Sequence, residues 1–371
     1  MISQSNNTVI KKHIKGLSKL NIDFWLFLGI STTIIFGLLV LYSASNQNGV
    51  IVEKQIFRTL LAFVLMIGVA QVNPVYIKIW TPRVFLISFI LLLAVPIFGD
   101  VSLGAKRWLD IGILRFQPSE IFKILLPLML AWMANEYGSP NNFKRLTISL
   151  VFLIVPVALI MQQPDLGTSI LVFTASFAVI FLAGINWKVI FGGFLSLLIT
   201  SPFLWYALHD YQRLRIKTLF NPEIDPSGAG FHIIQSKIAI GSGGLFGQGW
   251  LNGTQSHLNF IPEQKTDFIF SVLSEEFGLI GFLFLIICYL FIIMRLSYMT
   301  LKLNETFEKL VSGAIVVMFI SYITVNIGMV TGLLPVVGVP LPLISYGGTS
   351  MATMLIGFGM ICSFYKRRTK R

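Results

Sequence analysis

The sequence predicts an all-α polytopic membrane protein with about ten transmembrane helices and a long extracytoplasmic loop between the seventh and the eighth. Three observations predict it. Hydrophobic residues make up 55% of the 371 residues and charged residues only 12%, against about 25% charged in an ordinary soluble domain. Mean hydropathy is +0.79, more apolar surface than a soluble chain of this length can hide. The apolar residues also gather into runs near the ~20 residues that a helix needs to cross hydrocarbon.

Those runs fall near 23–45, 56–72, 83–99, 119–136, 147–163, 168–184, 188–208, 268–294, 309–333 and 346–365. They predict one helical bundle over 1–371 rather than separate domains. The net charge is +12 and collects at the tails, 1–22 and 366–371 (Lys11, Lys12, Lys15 and Lys19; Lys366, Arg367, Arg368, Lys370 and Arg371). Nucleic-acid binding would call for a basic folded face, so no nucleic-acid partner is expected. Cytoplasmic tails against anionic lipid explain the charge better. An even number of spans puts both tails inside, together with the connections that carry Lys78, Arg83, Lys144, Arg145, Lys188, Arg295 and Lys302. The first apolar run, from Phe24, is long enough to span, so no cleavable signal peptide is expected. Cys288 and Cys362 lie in apolar runs, and the four histidines are scattered. Neither a disulfide framework nor a zinc site is predicted.

The outer segments are 46–55, 100–118, 164–167, 209–267 and 334–345. They hold Lys106, Arg107, Arg115, Arg213, Arg215, Lys217, Lys237 and Lys265. Cations on that side run against the usual bias and point to an anionic ligand. The loop 209–267 is rich in Gly, Pro, Asn and Ser, and loops of such length are commonly functional. Within it, 229–241 reads as an amphipathic helix lying in the interface, with Ile233, Ile234, Ile238 and Ile240 toward lipid. The glycines from Gly241 to Gly249 permit tight turns and close backbone approach.

Several constellations could carry chemistry. Asp267, in Pro262-Glu263-Gln264-Lys265-Thr266-Asp267-Phe268, stands where the long loop meets an apolar helix. A carboxylate at that depth is partly desolvated and suits a general base; Asp at that position equally suits a helix N-cap. The residues alone leave both readings open. Glu275 and Glu276 follow inside the span, where acids usually face the bundle interior; for Glu276 a structural pairing is expected. Pro118 or Ser119 starts a helix, and Glu120 and Lys123 are spaced to pair within it. Lys106, Arg107 and Arg115 are candidate phosphate ligands. Asp165, in the turn from Gln163 to Ser169, either caps the next helix or pairs with a loop arginine. Arg213, Arg215 and Lys217 alternate, sharing a face if the segment is a strand and forming a plain basic patch if it is a loop. From Pro340 to Ser350, prolines and glycines at membrane depth predict broken helix, which is tolerated only where protein or a cavity shelters the backbone; if a cavity does, Ser345 and Tyr346 are the candidates to line it. A transporter and an enzyme fit these features equally.

Together these motifs resemble the SEDS family (shape, elongation, division and sporulation) over nearly the whole chain, through Gly104–Lys123, Gln163–Ser169, Arg213–Gly249, the run to Gly278, and Asn326–Ser350. His232-Ile233-Ile234-Gln235-Ser236-Lys237 and Leu334-Pro335-Val336-Val337-Gly338-Val339-Pro340 are similar to its elongation branch. The resemblance implies a ten-helix fold in the bacterial inner membrane. It also implies a glycosyltransferase that polymerises lipid II into β-1,4-linked glycan during cell elongation, with Asp267 as the catalytic residue and undecaprenyl pyrophosphate as the leaving group. Glu120 and Lys123 match the family's structural ion pair, and Arg213, Arg215 and Lys237 match its loop cations. Lys106, Arg107 and Lys265 are further candidates for the pyrophosphate. The family usually carries Glu-x-His-Thr-Asp-Phe around its aspartate, and this chain has Lys265 in place of the histidine. No tightly bound cofactor is expected; a divalent cation, Mg or Mn, would find most of its ligands on the pyrophosphate. The implied partners are a class B penicillin-binding transpeptidase and the elongation machinery. The rival reading is a lipid II flippase, with a non-catalytic scaffold third.

Overall fold

The computed structural model describes residues 20–102, 105–110, 115–208, 210–226, 228–258, 260 and 263–368. Most of the two tails, Gly104, Pro262 and the side chain of Arg115 lie outside the described residues. Seven helices precede the long loop: α1 (Phe24–Ala44), α2 (Gly49–Gln71), α3 (Pro74–Phe98), α4 (Pro118–Tyr137), α5 (Phe143–Gln162), α6 (Leu166–Leu182) and α7 (Trp187–Ala207). The loop contains α8 (Asp210–Phe220) and α9 (Ala229–Gly243). Then come α10 (Ile269–Leu301), α11 (Thr306–Val330) and α12 (Thr349–Arg368). Outside the loop, these helices occupy the positions of the expected spans.

Local sequence sets the helix starts. Asp23, Asn48, Asn73, Asn142 and Asp165 each accept a first-turn backbone N–H with the side chain, satisfying donors that helical geometry leaves unpaired. Pro118 occupies the first turn of α4, where its missing N–H costs nothing. By length and composition α1, α3, α5, α10 and α11 can each cross a membrane, and α6 and Trp187–Phe203 are shorter apolar helices. The chain is a multi-pass membrane protein. Polar groups lower the hydropathy of α2 and α4: Gln55 and Lys123 are buried against neighbouring elements, and Glu53, Lys54 and Glu136 are exposed.

The core is one contiguous cluster, with Tyr289, Tyr322, Phe122, Phe319 and Phe358 fully buried. Close approach of backbones holds α12 to α2: a Cβ on Gly359 would stand 2.4 Å from the Met66 carbonyl. Helices without a hydrophobic drive between them associate through such small residues. By contrast, α7 is exposed along nearly its whole length, with Phe191, Phe194 and Phe203 outward.

Three expectations need correction. The outer segment 100–118 is not plain loop. Strand β1 (Asp100–Ser102) pairs antiparallel with β2 (Ala105–Asp110), which pairs antiparallel with β3 (Arg115–Phe116). Arg213, Arg215 and Lys217 lie on a helix, α8, so Arg213 and Lys217 share a side and Arg215 points elsewhere. Finally, α9 does not lie in the interface with all four isoleucines toward lipid. Ile233 is buried, and Ser236 donates to the Val330 carbonyl at 2.8 Å, so α9 docks on α11 and α10.

The glycine-rich stretch after α9 has a definite task. Within α10, Gly278 leaves the helical conformation (φ 60°, ψ −154°), which frees backbone groups that bilayer depth would leave unpaired. The loop supplies their partners. Gln248 and Gly249 N–H donate to the carbonyls of Glu275 and Glu276, and Leu279 and Ile280 N–H donate to those of Gly244 and Leu245. Contact is close enough that a Cβ on Gly247 (φ +81°) would meet the Glu276 carbonyl at 2.0 Å. Gly247→Ala is therefore expected to destabilise the protein by about 2 kcal/mol or more. Thermal unfolding in detergent checks this; an unchanged midpoint would mean that the loop shifts freely.

Candidate active site

Asp267 sits one residue before the cap of α10. The cap position is Phe268, and no side chain caps the helix. The N-cap reading of Asp267 therefore falls. Its carboxylate makes no hydrogen bond and no ion pair within 4.0 Å among the described residues. Burial, with Glu263 nearby, pushes its pKa up to about 6, and the opposing pull of Arg215 only moderates the shift. A side chain so placed is ionised near neutrality and still basic enough to take a proton.

The broken segment after α11 holds this residue in place. Asn326, buried on α11, donates to the Asp267 backbone carbonyl at 2.8 Å and to the Val339 carbonyl at 2.7 Å. The Ser345 hydroxyl accepts from Leu341 N–H at 2.7 Å and donates to the Thr266 carbonyl at 2.6 Å. Tyr346 N–H donates to the Lys265 carbonyl at 2.8 Å. Gly338 (φ +72°) faces the carboxylate: a Cβ there would lie 3.3 Å from Asp267 Oδ2. Residues 265–267 are thus fixed by backbone contacts while the carboxylate is left unengaged.

The cations divide into those that build and those left over. Arg107, from β2, donates to the Gln163 carbonyl at 3.1 Å and the Pro164 carbonyl at 2.6 Å, tying the hairpin to the α5–α6 turn. Asp165 caps α6 through Thr168 N–H and accepts from Gln117 at 2.6 Å. Arg213 donates to the Trp205 and Tyr206 carbonyls, closing the C-terminal end of α7, and lies 3.6 Å from Asp210. Arg215 is half-buried, and its pKa is pushed down by burial first. Tyr211, Arg107, Asp165 and Asp267 all act on its charge, so these groups share one electrostatic neighbourhood. Lys106 and Lys237 are exposed, the latter reaching over Gly332. Lys265 is half-buried, and its ammonium has no hydrogen bond or ion pair among the described residues.

Glu120 and Lys123 pair at 2.5 Å, and Lys123 also donates to the Tyr322 hydroxyl at 2.7 Å. Glu275 does not face Asp267. It accepts from Gln255 N–H, Thr254 and Ser256 N–H, and so anchors the short helical turn Thr254–His257. Glu276 accepts from the Ser43 hydroxyl on α1, the structural pairing expected of it. Sequence reasoning missed three supporting residues: Asn326, Gln55 and Arg58. Gln55 donates to the Ser345 carbonyl and accepts from Gly347 N–H, while Arg58 lies over the Tyr346 ring at 4.5 Å. Their signal was present, since Gln55 and Arg58 sit at i, i+3 near an apolar run and Asn326 is a lone amide inside one.

The model of the FtsW/RodA/SpoVE family, described as a cell cycle protein, matches residues 23–370. The chain belongs to this family. It is 47% identical over 351 residues to the peptidoglycan glycosyltransferase MrdB of Escherichia coli K12, covering 94% of this chain and 95% of that one. It is 33% identical to the peptidoglycan glycosyltransferase RodA of Treponema pallidum, covering 96% and 99%. A peptidoglycan synthase complex that coordinates polymerisation and crosslinking contains a chain of like structure, with TM-score 0.81, 30% identity and 94% and 99% coverage. The rod shape determining protein RodA of Thermus thermophilus superposes with TM-score 0.70 at 25% identity, covering 93% and 97%.

Proposed function

We propose that this chain is a peptidoglycan glycosyltransferase of the elongation branch, which polymerises lipid II with Asp267 as general base. The observation that carries the reading is the Asp267 carboxylate: unpaired among the described residues, held by its backbone, and raised to about 6 by burial. The similarity to MrdB and RodA glycosyltransferases supports the reaction class.

In the proposed step, Asp267 takes the proton from the 4-hydroxyl of the acceptor sugar. That oxygen forms a bond to the anomeric carbon of the donor from the face opposite the leaving group, giving a β-1,4 link. The bond from that carbon to the phosphate oxygen breaks, and undecaprenyl pyrophosphate leaves with the electron pair. Cations placed where this charge develops stabilise it. Arg215 is best placed among the candidates, because it shares the electrostatic neighbourhood of Asp267. Lys265, Lys106, Arg107, Arg213 and Lys237 are weaker candidates: Arg107 and Arg213 already hold backbone carbonyls. Among the described residues no group of three or more His, Cys, Asp or Glu forms a metal cage; a Mg or Mn ion, if used, takes most ligands from the pyrophosphate. The likeness to a chain of a polymerising and crosslinking complex supports a class B penicillin-binding transpeptidase as partner. We place the protein in the bacterial inner membrane with both ends cytoplasmic.

The test is polymerisation of purified lipid II by the purified protein, alone and with its transpeptidase. Glycan strands support the reading; translocation of lipid II across proteoliposomes without polymer would establish the flippase instead. Arg215→Ala is expected to lower the polymerisation rate by about 10²-fold, as loss of one donor at a developing oxyanion does. Arg215→Lys should restore part of that loss.

A further inference from the structure

A cavity among the described residues shares no lining residue with the Asp267 site. It has a volume of about 480 Å³ and lies between the C-terminal ends of α4 and α6 and the first half of α5. Gln117 and Ser119, at the start of α4, belong to the Asp165 turn. The cavity begins at Met129 and includes Tyr137, so it occupies the other end of that 20-residue helix, about 30 Å long. The described chain ends mark the same end of the bundle. Arg367 donates to the Gln71 carbonyl at 2.6 Å, Gln71 donates to the Leu20 carbonyl, and Lys78 of α3 pairs with Glu136 of α4 at 2.7 Å.

The lining is amphiphilic in an ordered way. Met129, Met133, Phe152 and Val179 make the apolar interior, and Lys144 and Arg145 stand at its edge. Both cations are exposed, and neither makes an ion pair among the described residues. No Asp or Glu lines the cavity. Arg145 passes over the turn: its Nη1 lies 2.9 Å from where a Cβ on Gly138 (φ +86°) would be. Trp132 and Tyr137 meet edge to face at 5.8 Å beside it, the residue types that favour the membrane–water boundary. The volume lies in the ~300–1,000 Å³ range of ligand sites.

We propose that this cavity binds one anionic phospholipid from the leaflet on that side, its phosphate on Lys144 and Arg145 and part of an acyl chain among the apolar side chains. The charge complementarity selects the headgroup, and the apolar interior asks for a chain, which free phosphate lacks. Basic pockets between helices on the cytoplasmic side recur as sites for acidic lipid. Orienting the chain by positive charge accounts for Lys144 and Arg145 in the connection, but it requires no cavity beside them. The proposal stands independently of the glycosyltransferase reading.

The experiment uses the full chain, delipidated in detergent, with retained lipid counted by native mass spectrometry. Phosphatidylglycerol should be held about 25-fold more tightly than phosphatidylcholine, at about fivefold for each cation. Lys144→Ala/Arg145→Ala should abolish that preference while keeping the melting temperature measured without lipid. Ala183→Phe, which fills the apolar part, should lose both lipids. Should that variant not fold, phosphatidylglycerol brominated in its acyl chains should quench Trp132, read as the difference from Trp132→Phe. Equal retention of the two lipids, a preference that survives in the double variant, or absence of Trp132 quenching would each overturn the proposal. Protection from heat by inorganic phosphate equal to that by phosphatidylglycerol would do the same, since it would reduce the site to its cations.

Discussion

Asp267→Ala and Asp267→Asn are each expected to lower polymerisation of lipid II by about 10²–10⁴-fold, the usual contribution of a positioned general base. The two variants separate charge from shape, because Asn keeps the volume and the backbone bond to Asn326. Stability should move the other way. In the fold the carboxyl is raised from 3.8 to about 6, so its ionised form is penalised by folding. Below 3.8 the group is protonated in both states and costs nothing. The cost grows as pH rises through that window and is fully present above about 6, where it amounts to roughly 1–3 kcal/mol. Asp267→Asn should therefore raise the melting temperature at pH 7.5 and lose that advantage near pH 4. Wild-type activity should fall on the acid side with a midpoint near 6, and the residual activity of the Asn variant should lack that limb. An Asn variant that polymerises at the wild-type rate would remove Asp267 from the chemistry. Equal loss of activity and of melting temperature would make it a structural residue.

Much of this site was legible in the sequence, and the remainder was not, for physical reasons. Spans are readable because lipid imposes a length and an apolar composition on each helix. Asp267 stood out because a carboxylate at the start of an apolar run is costly. Whether it caps or stays free could not be read, because that depends on Gly338 and Asn326, which are distant in sequence and adjacent only after the segment 334–346 folds back. Cation roles were hidden for the same reason. Arg107 and Arg213 hold carbonyls, and carbonyls carry no sequence signal. Arg295 read as a topogenic charge, yet it forms a two-pronged bond with Asp23, at 2.8 and 2.6 Å, between the C-terminal part of α10 and the start of α1. The small sheet carries little sequence signal, because β1 and β3 have only three and two residues and β2 interleaves charged with apolar side chains.

Lys123→Ala should be the most destabilising single change in the bundle, by about 3–5 kcal/mol, because it leaves a buried carboxylate unpaired. Among the described residues Lys123 is the one cation paired with Glu120, and the Glu120 Oε2 already lacks a hydrogen bond. Glu120→Gln/Lys123→Met should recover much of the loss, since replacing both charges removes the desolvation penalty together with the attraction. Thermal unfolding of the single and double variants in one detergent measures the coupling, and additive losses would show that the pair does not interact. The pair also bears on the site. Lys123 on α4 reaches Tyr322 on α11, and Asn326 lies four residues further along α11, one turn away on the same side. Asn326 is the residue that holds the Asp267 backbone. The bond from Lys123 to Tyr322 therefore sets the register of the helix that places the base. Tyr322→Phe keeps the packing and removes that bond alone; it is expected to cost about 1 kcal/mol in stability and several-fold in polymerisation rate at saturating lipid II. A variant that loses stability but keeps its full rate would confine the pair to holding the bundle together.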